Sequence, residues 1–383
     1  MNPLYHSSRK GIRDAGHDKL KVIVAAGSSG GHIFPALAFI EALKERDPEA
    51  KVLLILKKNS IIKESDCAAF CVKYITIPSL RARPGLKLFK DIFELLKATF
   101  NAAFILLDFK PDVAVGFGSL TSVPVLMCAW LMRIPTLLHE QNVLPGRANR
   151  LLAQFCDRIA VSFRETEQHL RQFKNKVVFT GNPLRKKLIR VGEEEALGFF
   201  GLANDKFTIL VMGGSQGSLK INSEFLDFIR RLEDRSGLQV IHLSGLSAFE
   251  PLKKGYEDTG VAFKLYSFLE PVHYAYSAAD LILSRAGALS VTEIMFFKIP
   301  AIIVPYPYAR RHQWSNAKVL EAQGASFIID EVNLSADTLK QVILPLMHNR
   351  QALLELRSRY KEPATPPAAE LLVNEVIGAG GVT

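Results

Sequence analysis

The sequence predicts an α/β protein with two Rossmann-like domains, whose parallel sheets face each other across a cleft. First, short apolar runs alternate with longer amphipathic ones, which is typical of βαβ units and a parallel sheet. Second, this pattern begins twice, each time with a strand, a glycine-rich turn and a helix. Third, Asn182-Pro183 within residues 181–185 halts regular structure between the two repeats and predicts a linker.

The composition of the chain fits this class. Its 383 residues, 48% hydrophobic and 22% charged, are enough for two globular domains. The formal net charge of +10 favours an anionic partner such as an acidic membrane or a phosphorylated substrate. No Lys/Arg tract resembles a nucleic-acid-binding arm, so nucleic acid is not expected as a partner. The longest apolar run, Val123–Met132, is too short to cross a bilayer, so no transmembrane segment is expected.

The four cysteines indicate a reducing compartment. They form no C-x-x-C pair, and a chain of this length needs no disulfide scaffold, so the cytoplasm is expected. Cys67 and Cys71 are spaced one helical turn apart, which suggests small buried residues on a helix.

The first domain is predicted over residues 19–184, after a flexible extension at 1–18. Its predicted strands are Leu20–Ala26, Lys51–Leu56, Val113–Val115, Thr136–Leu138, Arg158–Val161 and Val177–Phe179. Its predicted helices are Pro35–Leu43, with Pro35 in the first turn, an amphipathic helix over 80–107, and Val123–Met132. A final helix, Ala368–Ile377, follows a proline-rich hinge and should pack on this domain, to which 366–383 is therefore assigned.

The second domain is predicted over residues 185–365. Its predicted strands are Phe207–Met212, Gln239–Leu243, Phe263–Leu265, Leu281–Leu283, Ala301–Val304 and Ser326–Ile329. Its predicted helices are Ser218–Arg231, Leu289–Phe297 and Ala336–Met347. Ligands of open α/β sheets bind beyond the carboxyl ends of the strands, so the loops 284–288 and 305–313 are expected to line a site.

A glycine-rich turn opens each half of the chain, at Gly27–His32 and at Gly213–Gly217. Backbone N–H groups at such a helix start can bind an anion. The first turn lacks G-x-G-x-x-G spacing, and the next strand ends in Lys57-Lys58 instead of the acidic residue that binds an NAD ribose. These features disfavour a dehydrogenase.

Glu293 has two interpretations. The run Ser290–Glu293 fits the S-x-x-E capping box, in which the carboxylate accepts a hydrogen bond from a free backbone N–H at the helix start. Alternatively, the carboxylate binds a pair of vicinal hydroxyls, as acidic residues do for a ribose. Spacing alone favours the capping box.

Six short motifs stand in order along the chain. They are Gly27-x-x-Gly30-Gly31-His32-x-x-Pro35-Ala36, His139-Glu140-Gln141-Asn142, Gly181-Asn182-Pro183-x-Arg185, Gly213-Gly214-Ser215-Gln216-Gly217, Arg285-x-Gly287-Ala288-Leu289-Ser290-Val291-x-Glu293 and His312-Gln313-x-x-Asn316-Ala317. Together, over roughly residues 20–380, they resemble the MurG family of bacterial glycosyltransferases. That family transfers N-acetylglucosamine (GlcNAc) from UDP-GlcNAc to the MurNAc 4-hydroxyl of undecaprenyl-pyrophosphoryl-MurNAc-pentapeptide (lipid I), forming lipid II in peptidoglycan synthesis.

The resemblance implies the GT-B fold and an inverting, UDP-GlcNAc-dependent hexosyltransferase with no cofactor. The second domain would bind UDP-GlcNAc, and the first would bind the lipid acceptor as a peripheral protein on the cytoplasmic face of the inner membrane. Implied partners are UDP-GlcNAc, lipid I, the anionic inner leaflet and other proteins of cell-wall synthesis and division.

The resemblance also implies a set of donor-binding residues. In the second domain these are Arg185, Gly214, Ser215, Gln216, Gly217, Leu269, Leu289, Ser290, Glu293, His312 and Gln313. In the first domain they are Ser29, Gly30, Gly31, His32 and Asn142, with Ser29, His32 and Asn142 reaching toward the transferred sugar. Glu293 matches the residue that binds the uridine ribose, which favours the second of its two interpretations.

His32 is the candidate catalytic residue, as a general base for the acceptor hydroxyl. It lies near a helix start, where the helix dipole disfavours the imidazolium form; the alternative is a histidine that only orders its loop. Positive potential for the leaving diphosphate would come from the loop N–H groups and Arg185. The sequence has no D-x-D pair, so no metal site is expected.

The chain departs from the family pattern at three places. The loop that the resemblance assigns to the acceptor pyrophosphate reads Gly118-Ser119-Leu120, without paired glycines or an aromatic, so acceptor contacts at 118–122 are left open. Lys298 replaces a glycine at a helix end, and Ser28-Ser29 replaces Gly-Thr in the first turn. A non-glycine residue costs up to about 1 kcal/mol where the backbone must be left-handed.

The amphipathic helix is the predicted membrane surface. Its apolar residues recur every three or four positions, at Leu86, Phe89, Phe93, Leu96 and Phe100, with Leu88, Ile92 and Leu95 beside them. Nearby basic residues are Arg81, Arg83, Lys87, Lys90 and Lys97. The apolar arc is wider than a core-facing stripe requires, so part of it is expected to face lipid; the alternative is a helix buried between two layers.

Two other functions stay open at the level of the sequence. One is another UDP-sugar enzyme on the same fold, such as a UDP-GlcNAc 2-epimerase or a lipid glycosyltransferase with a different acceptor. The other is a non-catalytic nucleotide-sugar-binding or membrane scaffold protein, which the altered loop at 118–122 would suit.

Overall fold

The computed structural model describes residues 19–58, 70–78, 86–214, 217–308, 312–361 and 367–380, with the backbone alone at 86–88. Two parallel sheets organise these residues, as the sequence predicts. The first sheet contains β1 (Lys21–Ala26), β2 (Lys51–Lys57), β3 (Cys71–Ile75), β4 (Val113–Gly116), β5 (Thr136–Glu140), β6 (Arg158–Val161) and β7 (Val177–Phe179), in the order β3-β2-β1-β4-β5-β6-β7. The second contains β8 (Phe207–Met212), β9 (Leu238–Leu243), β10 (Ala262–Tyr266), β11 (Leu281–Ser284), β12 (Ala301–Ile303) and β13 (Ser326–Ile328), in the order β10-β9-β8-β11-β12-β13.

Helices cover both faces of each sheet. The α-helices are α1 (Gly30–Arg46), α2 (Leu86–Phe109), α3 (Ser119–Leu131), α4 (Arg147–Leu152), α5 (Glu193–Phe200), α6 (Leu219–Arg230), α7 (Phe249–Glu257), α8 (His273–Ala278), α9 (Ala288–Phe297), α10 (His312–Gln323), α11 (Ala336–Met347), α12 (Arg350–Ser358) and α13 (Ala368–Gly380). Within these ranges, no helix is both long and apolar enough to span a membrane.

Strand β1 explains why the parallel strands read as continuous apolar runs. Residues 22–26 are all fully buried, and their side chains alternate between the two faces of the sheet. Val22 and Val24 pack into one core with α1 and α13, whereas Ile23 and Ala25 pack into another with α2 and α3. Helix α13 therefore packs on the first sheet, although it follows the second sheet in the chain. The division of the domains at residues 184 and 185 stays a prediction.

Helices α1 and α3 begin at earlier residues than the sequence predicts, and Cys71 is not in a helix. Helix α1 starts at Gly30, so Pro35 lies inside the helix and not in its first turn. Pro35 has no N–H for the Gly31 carbonyl, and the helix therefore lacks one hydrogen bond there. Helix α3 starts at Ser119, within the loop expected at 116–122. The prediction of a buried, helical Cys71 is wrong, because this residue is exposed and begins β3; Cys67 lies outside the described residues.

Lys298 ends helix α9 in the left-handed conformation, with φ 57° and ψ 43°. This is the conformation for which the glycine of the family pattern is suited. Lys298 at this position therefore carries a backbone penalty of up to about 1 kcal/mol relative to glycine.

Candidate active site

A cleft of about 740 Å³ lies where the carboxyl ends of the two sheets meet. It brings together most of the predicted donor-binding residues, namely Ser29, Gly30, Gly31, Arg185, Gly214, Gly217, Leu269, Leu289, Ser290, Glu293 and Gln313. Ser215 and Gln216 lie outside the described residues. The lining does not include His32, Asn142 or His312; His32 is partly exposed on helix α1, and the other two lie at the contact between the domains.

The glycine turn after β8 forms one wall of this cleft. A Cβ at Gly217, whose φ is +77°, would collide with the Ser244 carbonyl, and a Cβ at Gly213 would collide with the backbone at Ser218. The turn therefore requires glycine at both positions. Ser218 caps α6 by accepting a hydrogen bond from the Ile221 N–H, so that the helix begins at the edge of the cleft. Such a helix start attracts an anion.

Arg285 is a buried cation beside this helix start. Its side chain is only about 8% exposed, and it donates hydrogen bonds to the Ser218 hydroxyl (2.7 Å) and the Val304 carbonyl (3.2 Å). It also forms an ion pair with Glu331, and its guanidinium lies 5.4 Å from the centroid of the Tyr306 ring. Arg285 belongs to one of the six sequence motifs but not to the predicted site. The signal that points to it is an arginine directly after a buried strand, on the ligand-binding edge of the sheet.

Glu293 also lines this cleft, on helix α9. Helix α9 begins at Ala288 with Gly287 as its N-cap, so Glu293 lies more than one turn inside the helix. Its carboxylate is buried and accepts a hydrogen bond from the Tyr276 hydroxyl (2.7 Å). The capping-box interpretation is therefore wrong for this helix, because the carboxylate lies beyond the first turn that contains the free N–H groups.

Burial controls the protonation of Glu293. Removal from water raises its pKa to about 7, and the nearby Glu270 charge acts in the same direction. The hydrogen bond from Tyr276 and the charge of Arg185 oppose this shift. A carboxylate that is costly to ionise, and that lines an open cleft, is typical of a ligand-binding group.

Arg185 links the two sides of the cleft. Its guanidinium forms an ion pair with Glu270 (3.1 Å) and lies 4.3 Å from the centroid of the Phe34 ring, on helix α1. The ion pair neutralises part of its charge. Arg285 is also paired, with Glu331, but it is more buried than Arg185 and its guanidinium lies directly against the start of α6, beside the glycine turn.

His32 lies on the other side, in the first turn of α1. Its Nδ1 is 3.1 Å from Oε1 of Gln141, which is buried at the end of β5. The imidazole ring is held between two glycine turns, because Cβ atoms at Gly27 and Gly118 would lie 2.8 and 3.3 Å from its carbon atoms. Gln141 belongs to one of the sequence motifs but not to the predicted site. Its partner His32 lies 109 residues away in the sequence, so no local pattern links the two side chains.

Asn142 and His312 join the two domains in this structure. The Asn316 side chain donates to Asn142 Oδ1 (3.1 Å) and accepts from the Val143 N–H (3.0 Å). The His312 Nδ1–H donates to the Leu144 carbonyl (2.8 Å). These hydrogen bonds hold the loop after β5 against α10. The roles of Asn142 and His312 as donor contacts stay predictions.

Helix α2 carries an exposed apolar surface. Phe89 is 75% exposed, and the exposed side chains continue along the helix through Ile92, Phe93, Leu96, Phe100, Phe104 and Leu107. The opposite side, with Ala98, Ala102 and Leu106, is buried against the first sheet. The alternative of a helix buried between two layers is therefore wrong. Lys90 and Lys97 are exposed beside this surface; Arg81, Arg83 and the side chains of Leu86 and Lys87 lie outside the described residues.

Comparison with known proteins identifies the family. The sequence profile of the glycosyltransferase family 28 N-terminal domain matches residues 22–161, and the profile of the C-terminal domain of the same family matches residues 208–372. A relative from Halothermothrix orenii is 35% identical over 368 residues, which cover 93% of this chain and 98% of the relative. The chain belongs to glycosyltransferase family 28.

Other members of family 28 agree with this assignment. The Halothermothrix relative is named UDP-N-acetylglucosamine–N-acetylmuramyl-(pentapeptide) pyrophosphoryl-undecaprenol N-acetylglucosamine transferase. A relative of the same name from Bacillus subtilis is 33% identical over 359 residues, covering 92% of this chain and 98% of the relative. The crystal structure of Acinetobacter baumannii MurG superposes with a TM-score of 0.73 and 29% identity, covering 94% of this chain and all of that one. The predicted MurG resemblance, GT-B fold and glycosyltransferase activity are confirmed.

The fold extends to more distant enzymes. A UDP-GlcNAc 2-epimerase from Neisseria meningitidis, bound to UDP-GlcNAc, has a TM-score of 0.66 at 15% identity, covering 94% of this chain and all of that one. At this identity the likeness concerns the fold alone, because one fold carries many activities.

Proposed function

We propose that this family 28 enzyme transfers GlcNAc from UDP-GlcNAc to the 4-hydroxyl of MurNAc in lipid I, forming lipid II for peptidoglycan synthesis. The observation that carries the proposal is the cleft between the sheets, where the buried Glu293 carboxylate and the buried Arg285 guanidinium share one wall. The names of the 33–35% identical relatives supply the donor and the acceptor.

The second-domain wall suits a nucleoside diphosphate sugar. Glu293 would accept hydrogen bonds from the two ribose hydroxyls, as acidic residues do in other nucleotide sites. The diphosphate would lie at the N-terminus of α6, with N–H groups of the glycine turn and Arg285 as donors. Contacts with Ser218, Val304 and Glu331 hold the Arg285 guanidinium in place before the substrate arrives, so it can stabilise the charge of the leaving UDP without rearranging.

The first-domain wall supplies the chemistry at the acceptor. The acceptor 4-hydroxyl attacks the anomeric carbon from the side opposite UDP, the bond from that carbon to the diphosphate oxygen breaks, and the configuration inverts. His32 takes the proton that the hydroxyl loses. Arg285 and the start of α6 bind the negative charge that develops on the departing diphosphate.

The α2 surface suits a lipid-linked acceptor. Its exposed phenylalanines would enter the headgroup region, while Lys90 and Lys97 would contact anionic lipids of the cytoplasmic leaflet. The protein would then be peripheral on that leaflet, where it meets the diphosphate-linked sugar of lipid I at the membrane surface.

A labelled-donor assay tests the proposed activity. UDP-GlcNAc with a radiolabelled sugar is incubated with the enzyme in two matched reactions, one with lipid I and one without. We expect label in the lipid fraction, and UDP release, only when lipid I is present. Label that moves to another UDP-sugar without an acceptor would support an epimerase instead. Donor binding without either reaction would support a scaffold protein.

A further inference from the structure

A buried hydrogen-bond network lies behind His32. Gln141 is 1% exposed and His139 is fully buried; His139 lies within β5, and Gln141 directly follows this strand. Gln141 Oε1 contacts His32 Nδ1 at 3.1 Å, and Gln141 Nε2 lies 3.0 Å from His139 Nδ1. His139 Nε2 in turn lies 3.1 Å from the Gly181 carbonyl oxygen, in the loop that leads to the second domain.

The Gly181 carbonyl and the neutral state of His139 determine the direction of the two hydrogen bonds that His139 makes. The Gly181 carbonyl can only accept, so His139 Nε2 carries a proton and donates it. His139 is neutral near physiological pH, since burial lowers its pKa to about 4, and its Nδ1 must therefore accept. The partner of that Nδ1 is the amide nitrogen of Gln141, which donates.

Two further carbonyls fix the orientation of the Gln141 amide. Its nitrogen lies 3.3 Å from the Phe117 carbonyl oxygen and 3.2 Å from the His139 carbonyl oxygen. A flipped amide would place its own oxygen against these two acceptors, which buried groups avoid. The amide oxygen therefore faces His32. An amide oxygen only accepts, so His32 Nδ1 must carry a proton.

We infer that Gln141 and His139 are positioning residues that hold the neutral His32 ring in its Nδ1–H tautomer, leaving Nε2 free to accept the proton of the acceptor hydroxyl. The inference rests on the proposed function for the identity of that hydroxyl. The protonated nitrogen of a histidine is set by the hydrogen bond that this nitrogen makes, and a third group that orients a base is the logic of the Ser-His-Asp triad. In this chain an amide, oriented by a second histidine and the backbone, takes the place of the carboxylate.

The orienting network is protected from water and ends on the main chain. His32 is partly exposed, whereas its two supporting side chains are buried. A substitution at Gln141 should therefore change the protonation pattern of His32 without altering the residues of the cleft wall that bind the donor. This separation provides a test that distinguishes positioning from general stabilisation.

The test combines ¹⁵N NMR of the histidine side chains with kinetics. The His32 signals, among those of nine histidines, are assigned by their loss in His32→Ala. Spectra at alkaline pH report which ring nitrogen carries the proton. The variant is Gln141→Met, which removes the acceptor at similar size. Thr136→Val is the matched control, because Thr136 is a buried polar residue of β5, the strand that leads to Gln141, and its hydrogen bonds go to Asp157.

We expect the Nδ1–H pattern for His32 in the wild-type protein, and loss of this preference in Gln141→Met. Gln141→Met should lower kcat about 10- to 100-fold, as expected for loss of an orienting partner, with KM for UDP-GlcNAc within about twofold. Thr136→Val should keep the kcat of the wild-type protein even if it unfolds at a lower temperature.

An Nε2–H pattern in the wild-type protein would overturn the inference, and this measurement needs no variant that must fold. An unchanged pattern and unchanged kcat in Gln141→Met would overturn it as well. If His32→Ala keeps full turnover while the Nδ1–H pattern is present, the general base of the proposed function is wrong, but the positioning of His32 stands.

Discussion

The binding of UDP should depend on pH through Glu293. The carboxylate is buried and its pKa is raised to about 7, so that roughly half of the free protein carries a neutral Glu293 at that pH. Two ribose hydroxyls donate hydrogen bonds best to the ionised form. Binding must therefore release a proton from the neutral fraction, and affinity should increase as pH rises through 7 and then level off.

The magnitude follows from the pKa. At pH 6, one unit below a pKa of about 7, roughly one molecule in ten is ionised, so UDP should bind about tenfold more weakly than at pH 8. Glu293→Ala removes both hydrogen bonds, each of about 1.5–3 kcal/mol, and should weaken binding at least about 100-fold at pH 8. The pH dependence that remains in this variant should be only that of the UDP phosphate, whose second pKa is about 6. Tyr276→Phe removes a hydrogen bond that lowers the pKa of Glu293, so its binding transition should move to higher pH.

Calorimetry of UDP binding at pH 6, 7 and 8, in two buffers with different ionisation enthalpies, measures both the affinity and the released protons. The pH dependence of the stability of the free enzyme provides an independent check on the raised pKa of Glu293. Its Glu293 has a folded pKa above the unfolded value, so this residue reduces stability progressively as pH rises from about 4.5 through about 7. Glu293→Gln should therefore lose less stability over that range. UDP affinity that is the same at pH 6 and 8, or that survives Glu293→Ala in a folded protein, would refute the ribose-binding role.

Four further results are expected. His32→Ala should lower kcat by about 10²- to 10⁴-fold with little change in UDP affinity, and turnover within a few-fold of the wild type would place the base elsewhere. Arg285→Met should weaken binding of UDP but not of uridine, since Arg285 lies at the expected diphosphate position; equal losses for both ligands would contradict this. Activity should survive EDTA, because the sequence has no D-x-D pair and Arg285 with the start of α6 supplies the positive charge. A loss of activity that Mg²⁺ or Mn²⁺ restores would contradict this prediction. The protein should cosediment with anionic vesicles and only weakly with neutral ones. The bound fraction should fall at high salt and after the double substitution Phe89→Ser with Lys90→Glu. A wild-type protein that does not bind anionic vesicles at low salt would exclude this surface as an anchor.

The strands were predictable because they are buried on both faces. A parallel strand covered by helices is a continuous apolar run, and β8, for example, lies within one residue of its predicted bounds. β3 escaped prediction because it is an edge strand whose residues alternate poorly between apolar and polar. Helix α5 was also missed, although three glutamates in its first turn and a left-handed Gly201 at its end are ordinary helix signals.

The site was predictable where a motif lies in a single loop. The glycine turns and Glu293 reach the cleft as expected, because loops at the carboxyl edge of a parallel sheet converge. The capping interpretation of Glu293 failed because it depended on where α9 begins, and helix ends are the least certain part of a sequence-based assignment. The Arg285–Glu331 ion pair and the support of His32 by Gln141 join distant parts of the chain, so only the folded structure reveals them.

The stereochemistry of the product tests the central claim most directly. The donor carries GlcNAc in the α configuration, and attack by the MurNAc 4-hydroxyl from the face opposite UDP must invert it. The disaccharide released from the lipid product should therefore show a β(1→4) linkage by NMR, with the large anomeric coupling of a β-glucosaminide. An α linkage, or a bond to another hydroxyl, would contradict inverting transfer to the MurNAc 4-hydroxyl in this cleft.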